Sequence, residues 1–258
     1  MSLEESITKK VAIITGVSSG IGLATCKVFL SAGWSVFGVD VSPSPSIDND
    51  NFRFLSINLT ESSAPQTIVS GCHSAYGPRI DALLNVAGIL DGFSGVDNLK
   101  DSDWDRTIAV NLTAPTRLMR EVVKEMKEQT PKGGSIVNVC SKAATSGAVG
   151  GAAYTASKHG LLGITKNTAW LYKDDGIRCN AICPGGVKSN ISSSVPSWDT
   201  EAIAKMRPVH DIHYGEGRGN NPGADPALAA DVLLFLASDA SKGISGAAVP
   251  VDNAWSTI

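Results

Sequence analysis

Tyr154 and Lys158 are four residues apart, a spacing that places both side chains on one face of a helix. A free tyrosine titrates near ~10, and an ammonium group about one helical turn away favours the phenolate. We therefore expect Lys158 to lower the pKa of Tyr154 toward neutral pH, where a phenol can accept or donate a proton. Because this spacing also arises by chance in surface contacts, the assignment depends on the rest of the chain.

A glycine-rich turn precedes this pair in the chain. A β-branched run at 11–15 leads into Gly16-x3-Gly20-x-Gly22, and helical periodicity follows over 23–32. The backbone amides at the start of such a helix suit a pyrophosphate. The spacing differs from the common Gly-x-Gly-x2-Gly fingerprint, so a tight turn without a ligand is an alternative at this point.

Asp40 ends the next predicted strand, 35–40. An acid at this place can accept hydrogen bonds from the 2′-hydroxyl of an adenosine ribose, whereas it would repel a 2′-phosphate. Neither Val17 nor Val41 supplies the cation that a 2′-phosphate would need. The pattern therefore predicts NAD as the cofactor and not NADP.

Strand and helix patterns alternate along nearly the whole chain. Further strands are predicted at 52–57, 80–86, 134–140, 177–183 and 244–251, and further helices at 62–76, 104–126, 153–172 and about 225–237. We predict an α/β fold: a Rossmann-type doubly wound parallel sheet of about seven strands with helices on both faces. It would form a single dinucleotide-binding domain, 1–258.

Two segments of this domain carry more specific expectations. The helix at 104–126 would carry Asn111 and bend at Pro115. The stretch 186–224 is predicted to be irregular and to act as a substrate-binding loop or lid.

Composition narrows the class of partner. The net charge is −3 without a basic cluster, so we expect neither nucleic acid nor an acidic membrane surface as partner. No secretory signal or membrane-spanning run is visible, and the five cysteines are scattered without a Cys-x2-Cys pair. These features predict a cytoplasmic protein with reduced thiols and no metal site.

Taken together, residues from about 8 to 255 resemble the classical short-chain dehydrogenases/reductases. The resemblance rests on motifs in the family's order and spacing: Thr15-Gly16-x3-Gly20-Ile21-Gly22, Asn85-x-Ala87-Gly88, Asn111, Ser141, Tyr154-x3-Lys158 and Pro184-Gly185. It implies hydride transfer between a nicotinamide cofactor and a carbonyl/alcohol pair.

The resemblance also implies a role for each catalytic residue. Tyr154 would be the acid/base, and Lys158 would bond the nicotinamide ribose and lower the pKa of the tyrosine. Ser141 would hold the substrate oxygen beside Tyr154. Asn111 would hold a water that connects Lys158 to bulk proton exchange.

By the same resemblance, the cofactor would contact the glycine turn, several strand ends and the Pro-Gly turn. The implied residues are Gly16, Ser18, Ser19, Gly20, Ile21, Asp40, Asn58, Leu59, Asn85, Ala87, Gly88, Tyr154, Lys158, Pro184, Gly185, Val187 and Ser189. Near the end of the chain, the family's Asp-Gly-Gly is replaced by Asp252-Asn253-Ala254, where asparagine tolerates unusual backbone angles.

The substrate side is less defined. The residues that could form an apolar wall for the substrate, with ordinary loop packing equally compatible, are Trp198, Met206, Ile212 and Tyr214. Phe93, Val149 and Trp255 are weaker candidates, and His210 and His213 are assigned to the lid or the surface. Lys142, beside Ser141, is expected to be solvated.

The function expected from these features is NAD-dependent oxidation of a secondary alcohol on a bulky apolar small molecule. Terpenoids, steroids and polyketides, such as occur in secondary metabolism, belong to this class. Two alternatives are a biosynthetic ketone reductase and a non-catalytic NAD-binding sensor. The family resemblance further implies a homo-oligomer, a dimer or a tetramer, paired through the helices that bear Asn111 and Tyr154.

Overall fold

The computed structural model of the chain describes residues 9–214 and 223–257. Within them, seven strands form one sheet in the order β3-β2-β1-β4-β5-β6-β7, and every pairing is parallel. The strands are β1 (Val11–Thr15), β2 (Ser35–Asp40), β3 (Phe52–Ser56), β4 (Ala82–Asn85), β5 (Gly134–Val139), β6 (Ile177–Pro184) and β7 (Ala248–Val251). The predicted Rossmann-type sheet is confirmed, although β7 is shorter than the predicted 244–251.

Helices connect the strands and cover the sheet. They are α1 (Gly20–Ser31), α2 (Ala64–Tyr76), α3 (Asp101–Ile108), α4 (Ala114–Glu128), α5 (Ala152–Leu171), α6 (Thr200–Tyr214) and α7 (Pro226–Ala237). Asp225 caps α7 as its position before a proline predicts, since its carboxylate accepts a hydrogen bond from the amide of Ala227.

Both faces of the sheet are buried because successive strand residues point to opposite sides. On β1, Ile14 faces a core that includes Phe29 of α1 and Leu233 of α7. Its neighbour Ile13 faces a second core, built with α2 and α4 and including Leu118. This double covering explains why the strands appear in the sequence as continuous apolar runs.

The helical segment that carries Asn111 is irregular, but not at the predicted place. A π-helical turn, Ala109–Thr113, joins α3 to α4, and the amide of Ala114 donates to the carbonyl of Ala109. Proline has no N–H, so Pro115 cannot donate to the carbonyl of Asn111 four residues earlier, and a regular α pattern cannot pass through this position. The predicted bend at Pro115 is therefore replaced by a π-turn just before it.

The prediction of an irregular stretch over 186–224 is wrong in its middle part. Ile191–Ser194 is a 3₁₀ turn and α6 is a 15-residue helix with Pro208 inside it. Pro208, a residue that normally ends a helix, lies inside α6, and no residue of α6 is fully buried, so the helix was not identified from the sequence. Part of the predicted lid, 215–222, lies outside the described residues.

Candidate active site

A cavity of about 600 Å³ lies at the carboxyl ends of the strands, where ligands bind on sheets of this topology. It brings together nearly all the residues that the sequence nominated. Those lining it are Gly16, Ser18, Ser19, Gly20, Ile21, Asp40, Asn58, Leu59, Ala87, Gly88, Ser141, Tyr154, Lys158, Pro184, Gly185, Val187 and Ser189. Asn85 and Asn111 are the nominated residues that are absent from this lining.

The glycine turn forms one end of the cavity and depends on glycine geometry. Gly16 and Gly20 have φ angles of +78° and +51°, in the left-handed region that side chains disfavour. A Cβ added to Gly22 would lie 1.9 Å from the carbonyl oxygen of Gly16. The glycines thus allow α1 to begin directly against the end of β1, which leaves its N-terminal amides at the cavity.

Asp40 is held beside this turn. Its two carboxylate oxygens accept hydrogen bonds from the amides of Ser18, at 2.9 Å, and Ser42, at 2.8 Å. Among the described residues that line the cavity, the lysines are Lys142 and Lys158, which belong to the Ser141–Tyr154 end. The Asp40 end therefore carries a fixed negative charge without a neighbouring cation in the lining.

Asn85 does not face the cavity. Its side chain is buried in the sheet and donates to the amide oxygen of Asn138 on β5 at 2.8 Å. The implied contact of Asn85 with the adenosine ribose stays a prediction, and the side-chain amide is already engaged by Asn138. The end of β4 is placed instead by Thr15, whose hydroxyl accepts from the amides of Val86 and Ala87 at 3.0 and 3.1 Å.

Asn111 acts on the loop that follows β4. Its side-chain amide both accepts from the N–H of Ile89, at 2.9 Å, and donates to the carbonyl of Ile89, at 2.8 Å. A third bond runs to the hydroxyl of Ser157 on α5, at 3.2 Å. With its side chain committed in this way, Asn111 connects the Gly88–Ile89 loop to the helix that carries Tyr154; the water-holding role stays a prediction.

Tyr154 and Lys158 share a buried face of α5, with exposures of 7% and 3%. The Lys158 ammonium donates to the carbonyl of Val139, at 2.9 Å, and lies 5.6 Å from the Tyr154 ring centroid. Burial raises the pKa of Tyr154 to about 12, and the hydrogen bond with the Ser141 side chain opposes this rise. Burial also lowers the pKa of Lys158.

The expected lowering of the Tyr154 pKa is therefore wrong for this arrangement. Removing the phenolate from water costs more than the Ser141 hydroxyl returns, so the phenol is protonated at neutral pH. In this state Tyr154 is a proton donor, and it must lose its proton before it can act as a base.

Asp91 is a residue that the sequence reasoning missed. This carboxylate is 1% exposed and follows β4, yet it caps the start of α5, about sixty residues later. It accepts from the amides of Gly151, at 3.0 Å, and Tyr154, at 2.8 Å, and also from that of Phe93, at 3.1 Å. A long-range cap leaves no local sequence signal, because the usual capping residues immediately precede their helix.

Above the Tyr154 end, aromatic side chains enclose an apolar space that we term the aromatic chamber. The chamber is formed by Phe93, Val149, His210, Tyr214 and Trp255, all of which line the cavity. The His210 ring centroid lies 5.7 Å from those of both Phe93 and Trp255. Tyr214 and the three weaker candidates therefore occupy the predicted wall, and His210, assigned only to the lid or surface, joins them.

Other expectations for this wall differ from the structure. The Trp198 ring lies 5.7 Å from that of Phe93, between centroids, and Ile212 is 63% exposed. Neither these two nor Met206 lines the cavity. Lys142, expected to be solvated, is only 8% exposed and does line it, because the 3₁₀ turn Lys142–Ala144 turns inward after β5.

The C-terminal turn places Trp255 in the chamber. Asn253 and Ala254 have φ angles of +50° and +66°, the conformation that the family's Gly-Gly would adopt without strain. Trp255 then stacks on His213 with 4.3 Å between centroids, while His213 accepts from the amide of Gly186, at 3.2 Å. The end of α6, the Pro-Gly turn after β6 and the chain terminus thus form one wall.

The described part of the chain contains no disulfide bond and no cluster of metal-ligating side chains. All five cysteines are buried and unpaired. Residues 9–214 and 223–257 contain no group of three or more metal-ligating side chains, and none of their helices is long and apolar enough to cross a membrane.

Comparison with known proteins agrees with this geometry. Residues 10–200 match the family described as short chain dehydrogenase. The chain is 53% identical to the short chain dehydrogenase adrF of Penicillium roqueforti, with complete coverage of both, and 50% identical to the asnovolin H dehydrogenase nvfC of Aspergillus novofumigatus, over 98% of this chain and 99% of the relative.

A solved structure shows the same architecture. The 3-ketoacyl-(acyl-carrier-protein) reductase from Brucella melitensis, complexed with NADH, superposes with a TM-score of 0.82 at 25% identity, over 96% of this chain and 98% of that one. The shared fold, the ordered motifs and the full-length relatives lead to one conclusion: this chain belongs to the short-chain dehydrogenase/reductase family and is an oxidoreductase of that family.

Proposed function

We propose that this protein is an NAD(H)-dependent dehydrogenase that oxidises a secondary alcohol to a ketone on a bulky, largely apolar, ring-containing molecule of the terpenoid, steroid or polyketide kind. The proposal rests on one observation, that a single cavity joins a carboxylate suited to a nucleotide with an apolar space suited to a substrate. A fixed carboxylate, Asp40, lies at the nucleotide end, and an aromatic chamber lies over Tyr154 at the other.

The residues present fit a dinucleotide. The glycine turn leaves room where a Cβ would collide, and the start of α1 offers amides for a pyrophosphate. Asp40 is oriented by two backbone amides and would accept from the hydroxyls of an adenosine ribose, whereas a 2′-phosphate would meet its charge. The Brucella structure, which contains NADH, supports this class of cofactor.

The chamber supports a large apolar substrate. Its walls are aromatic or aliphatic, and Val149, Tyr154 and Trp255 belong to one buried cluster. Small-molecule sites are usually concave and apolar with a few fixed polar groups, and this site supplies Ser141 and Tyr154 as those groups. The name of the Aspergillus relative, a dehydrogenase acting on asnovolin H, agrees with an organic alcohol or ketone as substrate.

The mechanism follows from the positions of this chain's own groups. When bound, the nicotinamide supplies the hydride acceptor or donor. Ser141 holds the reacting oxygen of the substrate next to the phenol of Tyr154, and in oxidation the phenolate removes the hydroxyl proton. Lys158, fixed by the carbonyl of Val139, provides the positive charge that favours the phenolate. Asn111 keeps the loop after β4 in register with α5.

Ketone reduction is the second candidate, and one observation favours it. Because the pKa of Tyr154 is raised to about 12, its phenol carries the proton that a developing alkoxide needs. A purely NAD-sensing role is less favoured, since a sensor needs no Ser141, Tyr154 and Lys158 brought to one place.

Assembly and location complete the proposal. We propose a homo-oligomer, because Trp170 and Leu171 at the end of α5 are 70% and 57% exposed, an unusual exposure for such large apolar side chains. The five unpaired, buried cysteines are compatible with the reducing cytosol.

The experiment is a panel of hydroxylated terpenoids and steroids with NAD⁺, followed by the absorbance of NADH, for wild type and for Tyr154→Phe. We expect the variant to lose at least about a hundredfold in kcat while it binds NADH normally. Tyr214→Phe is the matched control, because it removes a phenol from the same cavity but not the acid/base. Near-normal turnover by Tyr154→Phe would exclude the assignment.

The cofactor is tested separately, by titrating NADH and NADPH into the enzyme. We expect NADH to bind more tightly, and Asp40→Ala to reduce the difference. Tighter binding of NADPH by the wild type would remove the argument from Asp40.

A further inference from the structure

His210 carries a buried polar atom that has no hydrogen-bond partner. Among the described residues, several side chains have such an atom, and His210 is the one of them that lines the cavity. The atom is Nε2 of its ring. Buried polar groups in proteins are nearly always paired, because leaving one unpaired forfeits the hydrogen bonds that water would make. An unpaired atom beside a substrate cavity therefore indicates a partner supplied by the ligand.

The described residues around His210 supply no substitute. Its ring contacts Phe93 and Trp255, each at 5.7 Å between centroids, and stacks on Tyr214 at 6.2 Å. The residue is partly buried, but its Nε2 atom is not accessible to water, and the neighbouring rings present mainly carbon to it. A polar group within such a wall contributes little to packing but can discriminate strongly between ligands.

The charge state of His210 identifies the chemistry of the missing partner. Burial and the neighbouring His213 lower the pKa of His210, and Asp211 opposes them. A neutral imidazole nitrogen donates in one tautomer and accepts in the other, so it can bond a carbonyl oxygen or a hydroxyl. A neutral ring offers no particular attraction to a carboxylate or phosphate.

The reacting oxygen has other partners in the proposed function. They are Ser141, just after β5, and Tyr154, in the first turn of α5, and both line the cavity. His210 comes from α6, and Trp255, which belongs to the same buried cluster as Tyr154, lies against it. A substrate that reached both places would carry oxygen at two separate positions on its skeleton.

We propose that His210 binds a second oxygen of the substrate, a carbonyl or hydroxyl remote from the reacting carbon, and so selects dioxygenated ring compounds over those with one oxygen. The inference rests on the proposed function in that it places the substrate in the chamber over Tyr154. It goes further by assigning a specificity-determining residue and the group that this residue recognises.

The test compares matched ligands on matched variants. The ligands are a 3-hydroxysteroid with a 17-ketone and the same steroid without the 17-oxygen, together with a decalin alcohol with and without a ketone on its second ring. Binding is measured without cofactor, so that neither the hydroxyl nor the ketone of a ligand can react, through quenching of tryptophan fluorescence. Trp255 is a suitable reporter because it lies in the chamber wall.

We expect wild type to bind the dioxygenated member of at least one pair about tenfold more tightly. His210→Phe should remove this preference and leave the affinity for the mono-oxygenated member within about twofold. His210→Gln, which keeps a donor and an acceptor, should retain part of it. If His210→Phe does not fold, as judged by thermal unfolding, His210→Leu carries the same expectation.

Equal binding within both pairs by wild type, a preference that survives in His210→Phe, or no binding of any probe would each overturn the inference. Failure of the proposed function looks different. In that case His210→Phe still loses the preference in binding, while wild type with NAD⁺ produces no NADH from any ligand that it binds.

Discussion

Replacing Asp91 with alanine should destabilise the protein far more than the loss of an ordinary helix cap. The Asp91 carboxylate accepts from the amides of Gly151 and Tyr154 at the start of α5, and both of these bonds are buried. A third bond, to the amide of Phe93, supports a residue with a φ of +65°. The substitution removes the acceptor for all three amides at a site that is only 1% exposed.

The magnitude follows from the number and burial of these bonds. A hydrogen bond to a charged group contributes about 1.5–3 kcal/mol, so two buried ones amount to about 3–6 kcal/mol. Relief of the cost of burying the carboxylate offsets part of this sum. We therefore expect Asp91→Ala to lower the free energy of unfolding by about 3 kcal/mol, a large fraction of the ~5–15 kcal/mol typical of a domain.

The assay is equilibrium unfolding in urea, with the free energy extrapolated to water. Asp225→Ala is the matched control, because Asp225 caps α7 through one exposed bond to Ala227 at 2.9 Å and should cost only ~1 kcal/mol. Because Asp91 positions Tyr154, kcat should also fall by about tenfold or more, whereas NADH affinity should change little.

Two results would refute this reasoning. The first is an unfolding free energy of Asp91→Ala within ~1 kcal/mol of the wild type, or equal to that of Asp225→Ala. The second is a fall in NADH affinity as large as the fall in kcat. Asp91→Asn refines the test, because it keeps the size of the side chain and one acceptor but turns an amide donor toward a backbone N–H. Its free energy of unfolding should lie between those of the wild type and Asp91→Ala.

Two further predictions concern stability. Ala254→Gly should stabilise the protein by about 1 kcal/mol, because Ala254 is exposed and has a φ of +66°, which glycine adopts without strain. Ala204→Gly, at an exposed position of α6, is the control and should destabilise the protein by about the same amount. Thermal unfolding measures the sign of each change. Burial raises the pKa of the Cys26 and Cys72 thiols from 9.0 to about 12, so the folded state holds protons that the unfolded state releases above pH 9. These thiols should not change the free energy of unfolding below pH 9, and between pH 9 and 12 each should lower it by up to ~1.4 kcal/mol per pH unit. Urea unfolding at several pH values tests this: the free energy of unfolding of a Cys26→Ala/Cys72→Ala variant should decline less steeply with pH than that of the wild type.

Local patterns in the sequence were sufficient for the sheet. Continuous apolar runs such as 11–15 indicate strands covered on both faces, and glycines at fixed offsets indicate the turn before α1, since both depend on neighbouring residues alone. The same reasoning placed Asp40 beside the glycine turn, where it lines the cavity. It failed for α6, where Pro208 and half-exposed side chains hide the helical period, and for the last strand, whose predicted start was four residues too early.

The parallel fold and the set of polar groups at its carboxyl edge could be inferred from the sequence, because the carboxyl ends of parallel strands meet at one edge of a sheet. Tertiary structure alone decided how they behave. Burial raises the pKa of Tyr154, and Asp91 bonds to the start of α5 from a loop about sixty residues earlier. His210 lines the cavity with a buried ring nitrogen that has no partner among the described residues. Each of these outcomes depends on desolvation or on a contact between distant segments, and neither is encoded in the spacing of residues along the chain.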